Sequence, residues 1–232
     1  MRLIERPSSN HDARSAAVDM LVLHYTGMKT AEEALARLCD PSAKVSAHYT
    51  IDTDGCVYRH VPEERRAWHA GASFWAGRNA VNACSIGVEL VNPGHEFGYV
   101  PFTEDQIASL IELAQGIVAR HPIPPARVLA HSDVAPARKT DPGELFPWKT
   151  LAENGIGVWP SLSPLGGEAA RLRAGEGDNS FAAGLARFGY GVPPSVNVPL
   201  EAVIAAFQRH FRPAKIDGAW DAECGALLAG LP

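Results

Sequence analysis

With 232 residues, 46% of them hydrophobic and 20% charged, the chain has room for one sizeable core and a small second unit, and its composition is not that of a disordered protein. A formal net charge of −5 offers phosphate backbones no general attraction, and no apolar run is long enough to cross a bilayer, so neither a nucleic-acid partner nor a membrane span is expected. Cys39, Cys56, Cys84 and Cys224 stand apart with no C-x-x-C pair, the pattern of reduced thiols rather than of a disulfide framework.

The start, "MRLIERPSSNHDARS", is polar and lacks the apolar core of a secretory signal, which reads as a cytoplasmic protein. "VDMLVLHYTG" then gives a compact apolar run closed by Gly27, a buried strand with His24 near its end. Thr30 and Glu33 have the spacing of a capping box ahead of "AEEALARLCD", so a short helix follows and stops before Pro41. "VSAHYTIDTDGCVYRHVP" holds two β-rich runs joined by Asp54-Gly55, a hairpin signal. "CSIGVELVN" alternates Ile86, Val88 and Leu90 on one face with Gly87 and Glu89 on the other. Thr103 and Gln106 cap a helix with Ile107, Leu110, Ile111, Ala114, Ile117 and Val118 at helical spacing, and "RVLAH" is a short strand ending at His131.

This order predicts an α/β unit over residues 1–155, a central mixed sheet flanked by helices, with loops gathered at one end of the sheet. Residues 156–178 turn rich in Gly, Pro and Ser and read as a linker. Residues 179–232 read as a small all-helical domain, with Leu200, Val203, Ile204, Phe207 and Phe211 on one stripe, a turn at Asp217-Gly218 and a second short helix. No tandem repeat of fixed period is present.

A catalytic zinc site needs three protein ligands and one open position. His24 and His131 at strand ends, with Asp141 on the loop after the second, could supply them if the two strands are close. Glu89 at the same sheet end could move a proton, and Lys139 could sit beside a developing negative charge. Each residue taken singly also fits an ordinary role: a core or surface histidine, a paired glutamate, a solvated lysine. The groups around His48-Tyr49, Trp68-His69 and Trp75 add polar and aromatic faces of the kind that suit sugars and peptide backbones.

Taken together, "LVLHYTG", "AHYTID.DG", "WHAG.S.W.GR", "SIGVEL" and "HSDVAPARKTDPG...PW" resemble the zinc-dependent N-acetylmuramoyl-L-alanine amidases of the amidase type 2 family, over residues 1–150 and in the family's order. The resemblance implies hydrolysis of the amide between N-acetylmuramic acid and L-alanine, in peptidoglycan or in muropeptides; no protein partner is inferred. It implies Zn2+ ligands at His24, His131 and Asp141, a catalytic Glu89 and Lys139, and substrate-binding positions at Tyr49 and His69, with Trp75 beside them. Residues 179–232 resemble a three-helix peptidoglycan-binding domain through "FQ" and the later "DG".

Two other readings stay open: a protein that binds or senses wall fragments around a retained zinc site, and a zinc amidohydrolase acting on another bond. The three ligands, rather than four, favour an open catalytic site. A wall-binding tail points to the periplasm or cell envelope, whereas the polar start points to the cytoplasm.

Overall fold

The computed structural model describes residues 1–161 and 180–232. In chain order the elements are β1 (Arg2–Glu5), β2 (His11–Ala13), β3 (Met20–Tyr25), α1 (Ala31–Cys39), β4 (Tyr49–Ile51), β5 (Cys56–Arg59), β6 (Arg65–Ala67), α2 (Val81–Cys84), β7 (Ser85–Leu90), α3 (Gly94–Phe97), α4 (Glu104–Arg120), β8 (Val128–Ala130), α5 (His131–Val134), α6 (Trp148–Glu153), α7 (Ser180–Phe188), α8 (Leu200–Phe211) and α9 (Ala222–Ala229). Six strands form one sheet in the order β1-β5-β4-β7-β3-β8, while β2 and β6 pair separately. Only β4 and β5, the predicted hairpin, run antiparallel within the large sheet. The expected mixed sheet flanked by helices is therefore present.

Alternation along β3 divides the core. Leu21 and Leu23 join Ile86, Val88 and Leu90 under α4, whose Leu110, Leu113, Ala114 and Ile117 are buried. The capping box of Thr103 and Gln106 starts that helix as predicted. Met20 and Val22 point the other way, into a cluster with Trp75, Val134 and the C-terminal Leu185, Val203, Phe207 and Phe211. Because side chains alternate with period two, His24 continues the Met20–Val22 face. Its register partner on β7 is Glu89.

The departures from the sequence expectation have local causes. β1, β2 and β6 are three or four residues long, too short to show a period, and β1 is an exposed edge. His131 opens the helical turn α5 instead of ending a strand, because the Asp133 carboxylate accepts the Ala130 N–H at 2.8 Å and caps the turn.

Of the stretch read as a linker, residues 162–178 lie outside the described residues. Before them, Ile156 is buried and the Ser161 N–H donates to the Gly230 carbonyl at 3.0 Å. The C-terminal helices thus share one apolar cluster with the sheet.

The "FQ" and "DG" pattern also has a folding explanation. The Gln208 side-chain oxygen accepts the N–H groups of Asp217 and Gly218, both at 2.9 Å, and its amide nitrogen donates to Asp217 Oδ1 and the Ala219 carbonyl. Gly218 has φ +69°, a conformation that favours glycine. All four cysteines are free thiols, and among the described residues no helix is long and apolar enough to cross a membrane.

Candidate active site

Parallel pairing of β7, β3 and β8 puts their carboxyl ends together, the edge where open α/β sheets place their ligands. His24 and Glu89 lie side by side there, and Ala130, paired with Leu23, delivers His131 just beyond. The Ser132 N–H donates to the Asp141 carbonyl at 3.0 Å, folding the proline-broken loop back over the strand ends.

His24 Nδ1 lies 2.9 Å from His131 Nδ1, and each is 3.0 Å from Asp141 Oδ2. All three residues are buried. Hydrogen bonds on the far sides of the rings fix what these three atoms are. The Ser85 hydroxyl donates to the Val81 carbonyl at 2.7 Å, so its oxygen accepts from His69 Nε2 at 3.1 Å. That leaves His69 Nδ1 to accept from His24 Nε2 at 3.0 Å. His131 Nε2 faces the Ala70 carbonyl at 3.1 Å, which can only accept.

In the neutral rings both Nδ1 atoms are therefore bare lone pairs converging with a carboxylate oxygen. Such a cluster repels itself unless a cation sits within it, and outer hydrogen bonds of this kind are what orient metal-bound histidines. Donors bonded to one tetrahedral zinc at roughly 2.0–2.1 Å lie about 3.3 Å apart, close to the spacing here. Burial pushes the His24 imidazole down to about 4, keeping its lone pair free at neutral pH. The donor set fits a zinc ion.

A cleft of about 550 Å³ opens over these residues and is also lined by His69, Glu89 and Lys139. Glu89 Oε2 is buried with no hydrogen-bond partner among the described residues. Burial, reinforced by Asp141, pushes its carboxyl well above the ordinary value, while Lys139 pulls the other way. Lys139 is half-buried and lines the same cleft.

The structure brings six of the eight sequence-predicted residues together and leaves two elsewhere. Tyr49 is on the α4 face of the sheet, where its hydroxyl donates to Glu63 at 2.8 Å, because β4 alternation turns it from the cleft. Trp75 is 1% exposed and packs edge-on against Tyr190, so it is part of the core. His69 lines the cleft but also orients His24. Sequence reasoning missed the rim formed by Tyr25, His95 and Arg138. Tyr25 Oη lies 3.0 Å from His95 Nδ1 and 3.2 Å from Thr140 Oγ1. The available signal was position: Tyr25 follows a metal-ligand candidate, and His95 lies just past the β7 end.

Residues 14–144 match the N-acetylmuramoyl-L-alanine amidase family. The chain belongs to that family. It is 39% identical to N-acetylmuramoyl-L-alanine amidase AmiD of Escherichia coli (strain K12), a match covering 99% of this chain and 90% of that protein. It is 35% identical to 1,6-anhydro-N-acetylmuramyl-L-alanine amidase AmpD of Enterobacter cloacae, over 61% of this chain and 84% of that one. The structure of E. coli AmiD in complex with anhydro-N-acetylmuramic acid-L-Ala-D-gamma-Glu-L-Lys superposes with TM-score 0.80 at 39% identity, covering 95% of this chain and 91% of that one. Pseudomonas aeruginosa AMPDH3 in complex with anhydromuramic pentapeptide gives TM-score 0.81 at 36% identity, over 92% and 91%.

One glycine of this amidase-family chain has a role the alternation of β7 conceals. A Cβ at Gly87 would overlap the His69 ring, so the strand stays bare where that ring lies against it. Gly87→Ala is expected to displace His69 and weaken zinc binding by roughly 10- to 100-fold, the usual cost of losing an outer partner of a ligand. Competition with a chromogenic chelator measures it, and unchanged affinity would remove His69 from the support of His24.

Proposed function

We propose that the chain is a zinc-dependent N-acetylmuramoyl-L-alanine amidase that hydrolyses the amide joining the lactyl group of N-acetylmuramic acid to the L-alanine of muropeptides. The observation that carries the reading is the convergence of His24, His131 and Asp141 in a cleft shared with Glu89, whose Oε2 is buried without a partner among the described residues. The 39% identity to E. coli AmiD over nearly the full length supports the bond, and the anhydromuramyl peptides in the AmiD and AMPDH3 complexes support a muropeptide as substrate.

His24, His131 and Asp141 hold the metal. Zinc in such a site lowers the pKa of water toward 7 and polarises a carbonyl as a Lewis acid. Glu89 accepts the proton of the attacking water and returns it to the leaving amine of L-alanine, a task that suits a carboxyl whose proton affinity is raised by burial. Lys139 places a positive charge beside the oxygen on which negative charge develops. His69 and the Ala70 carbonyl keep the two imidazoles turned inward. The "FQ" and "DG" signature of the C-terminal unit is used by its own turn, so the substrate assignment rests on the cleft.

Mass spectrometry of muropeptides and intact sacculi after incubation with the protein tests the reading. The expected products are peptides with a free L-alanine amine, lost on chelation and restored by zinc. No cleavage by zinc-loaded protein would overturn the assignment, and cleavage at another bond would reassign the chemistry.

A further inference from the structure

The turn α5 is four residues long and carries His131. A single helical turn has little stability of its own, because nucleation fixes several residues for one hydrogen bond. Here that bond runs from the Ala135 N–H to the His131 carbonyl at 2.9 Å. The same turn also holds Asp141 through the Ser132 N–H. Two of the three metal ligands therefore depend on a segment that cannot hold itself.

The Phe74 N–H holds one side of it, donating to the Val134 carbonyl at 2.8 Å, and the C-terminal unit holds the other. Asp133, 1% exposed, uses both oxygens: Oδ1 accepts the Tyr190 hydroxyl at 2.7 Å, and Oδ2 lies 2.7 Å from His210 Nδ1 as well as accepting the Ala130 N–H. Tyr190 and His210 are themselves buried. The His210 ring is stacked against Trp148, with centroids 3.8 Å apart and an interplanar angle of 22°. Neither Tyr190 nor His210 lines the cleft.

We propose that the C-terminal helical unit is a positioning element of the metal centre: Tyr190 and His210, acting through Asp133, lock the turn that carries His131 and anchors Asp141. Its consequence for the metal rests on the zinc reading above, whereas the lock itself does not. The unit then serves catalysis within the chain whether or not it also touches the wall.

The test uses the full-length Tyr190→Phe/His210→Phe variant, which keeps both rings and deletes both donors to Asp133. Hydrogen exchange over residues 130–135 reads the lock, and zinc affinity with the visible spectrum of the cobalt-substituted protein reads the metal centre. The double variant is expected to exchange at least roughly tenfold faster in that segment and to bind zinc roughly tenfold or more weakly, with a changed cobalt spectrum. Leu228→Ala, which weakens the C-terminal core away from Asp133, is expected to lower the melting temperature with little effect on either readout. His210→Asn, which restores an N–H donor, is expected to recover part of the loss.

Native exchange and native zinc affinity in the double variant would overturn the proposal, as would an equal response from Leu228→Ala. If the double variant does not fold, Tyr190→Phe alone carries the comparison, since it removes one hydroxyl. If the wild-type chain binds no zinc, the zinc reading falls, and the exchange comparison still decides whether the lock exists.

Discussion

Replacing His24 with alanine will strip the protein of zinc and lower its amidase rate roughly 10³-fold or more, since removing a single electrostatic stabiliser already costs 10²–10³. Two donors, His131 Nδ1 and Asp141 Oδ2, remain, one short of the three protein ligands a catalytic zinc site needs. The substitution also leaves His69 Nδ1 without its hydrogen-bond donor. Chelated wild-type protein should reach the same rate with its fold intact, which separates metal loss from structural damage. Zinc content by atomic emission, alongside far-ultraviolet circular dichroism, makes the comparison. A folded His24→Ala protein with one equivalent of tightly bound zinc would sink the ligand assignment.

The legible parts of the sequence were those in which local pattern and global role coincide. β3, β7 and α4 announce themselves because one face is apolar throughout and the helix carries its own cap. His24 and His131, two of the three proposed ligands, stand near the end of β3 and just past β8, so placing those strands nearly places them, whereas Asp141 lies on the loop beyond. The two site residues left outside the cleft, Tyr49 and Trp75, show what a motif string omits. The face of a three-residue strand or an irregular loop is decided by the partner it packs on.

The relation between the helical unit and the sheet was hidden for a different reason. Asp133, Tyr190 and His210 are far apart in sequence, and each alone has the look of an ordinary surface or core residue. Only pairing across the fold gives them a common purpose. Gly87 was likewise invisible as a contact, because its significance lies in the atom it lacks.

Glu89→Gln will retain zinc and lose roughly 10²- to 10⁴-fold in turnover, the usual contribution of a positioned general acid–base group. Gln preserves shape and polarity but can neither take a proton from water nor deliver one to the amine. The same substitution will change stability in a direction the burial of Glu89 dictates. In the metal-free protein its carboxyl titrates above the unfolded value, so between those two values the native state holds a proton that the unfolded state has released. Stability contributed by this group is therefore present at low pH and is lost as pH rises through that window. Glutamine carries no charge and pays no such penalty, so Glu89→Gln should raise the melting temperature of the metal-free protein more at about pH 8 than at about pH 4. Thermal unfolding at the two pH values measures the difference. A variant that loses activity, keeps zinc and gains stability only at the higher pH identifies Glu89 as a carboxylate held for chemistry at the expense of the fold; equal stability at both values would mean that its charge is solvated, and would remove the basis for its raised proton affinity.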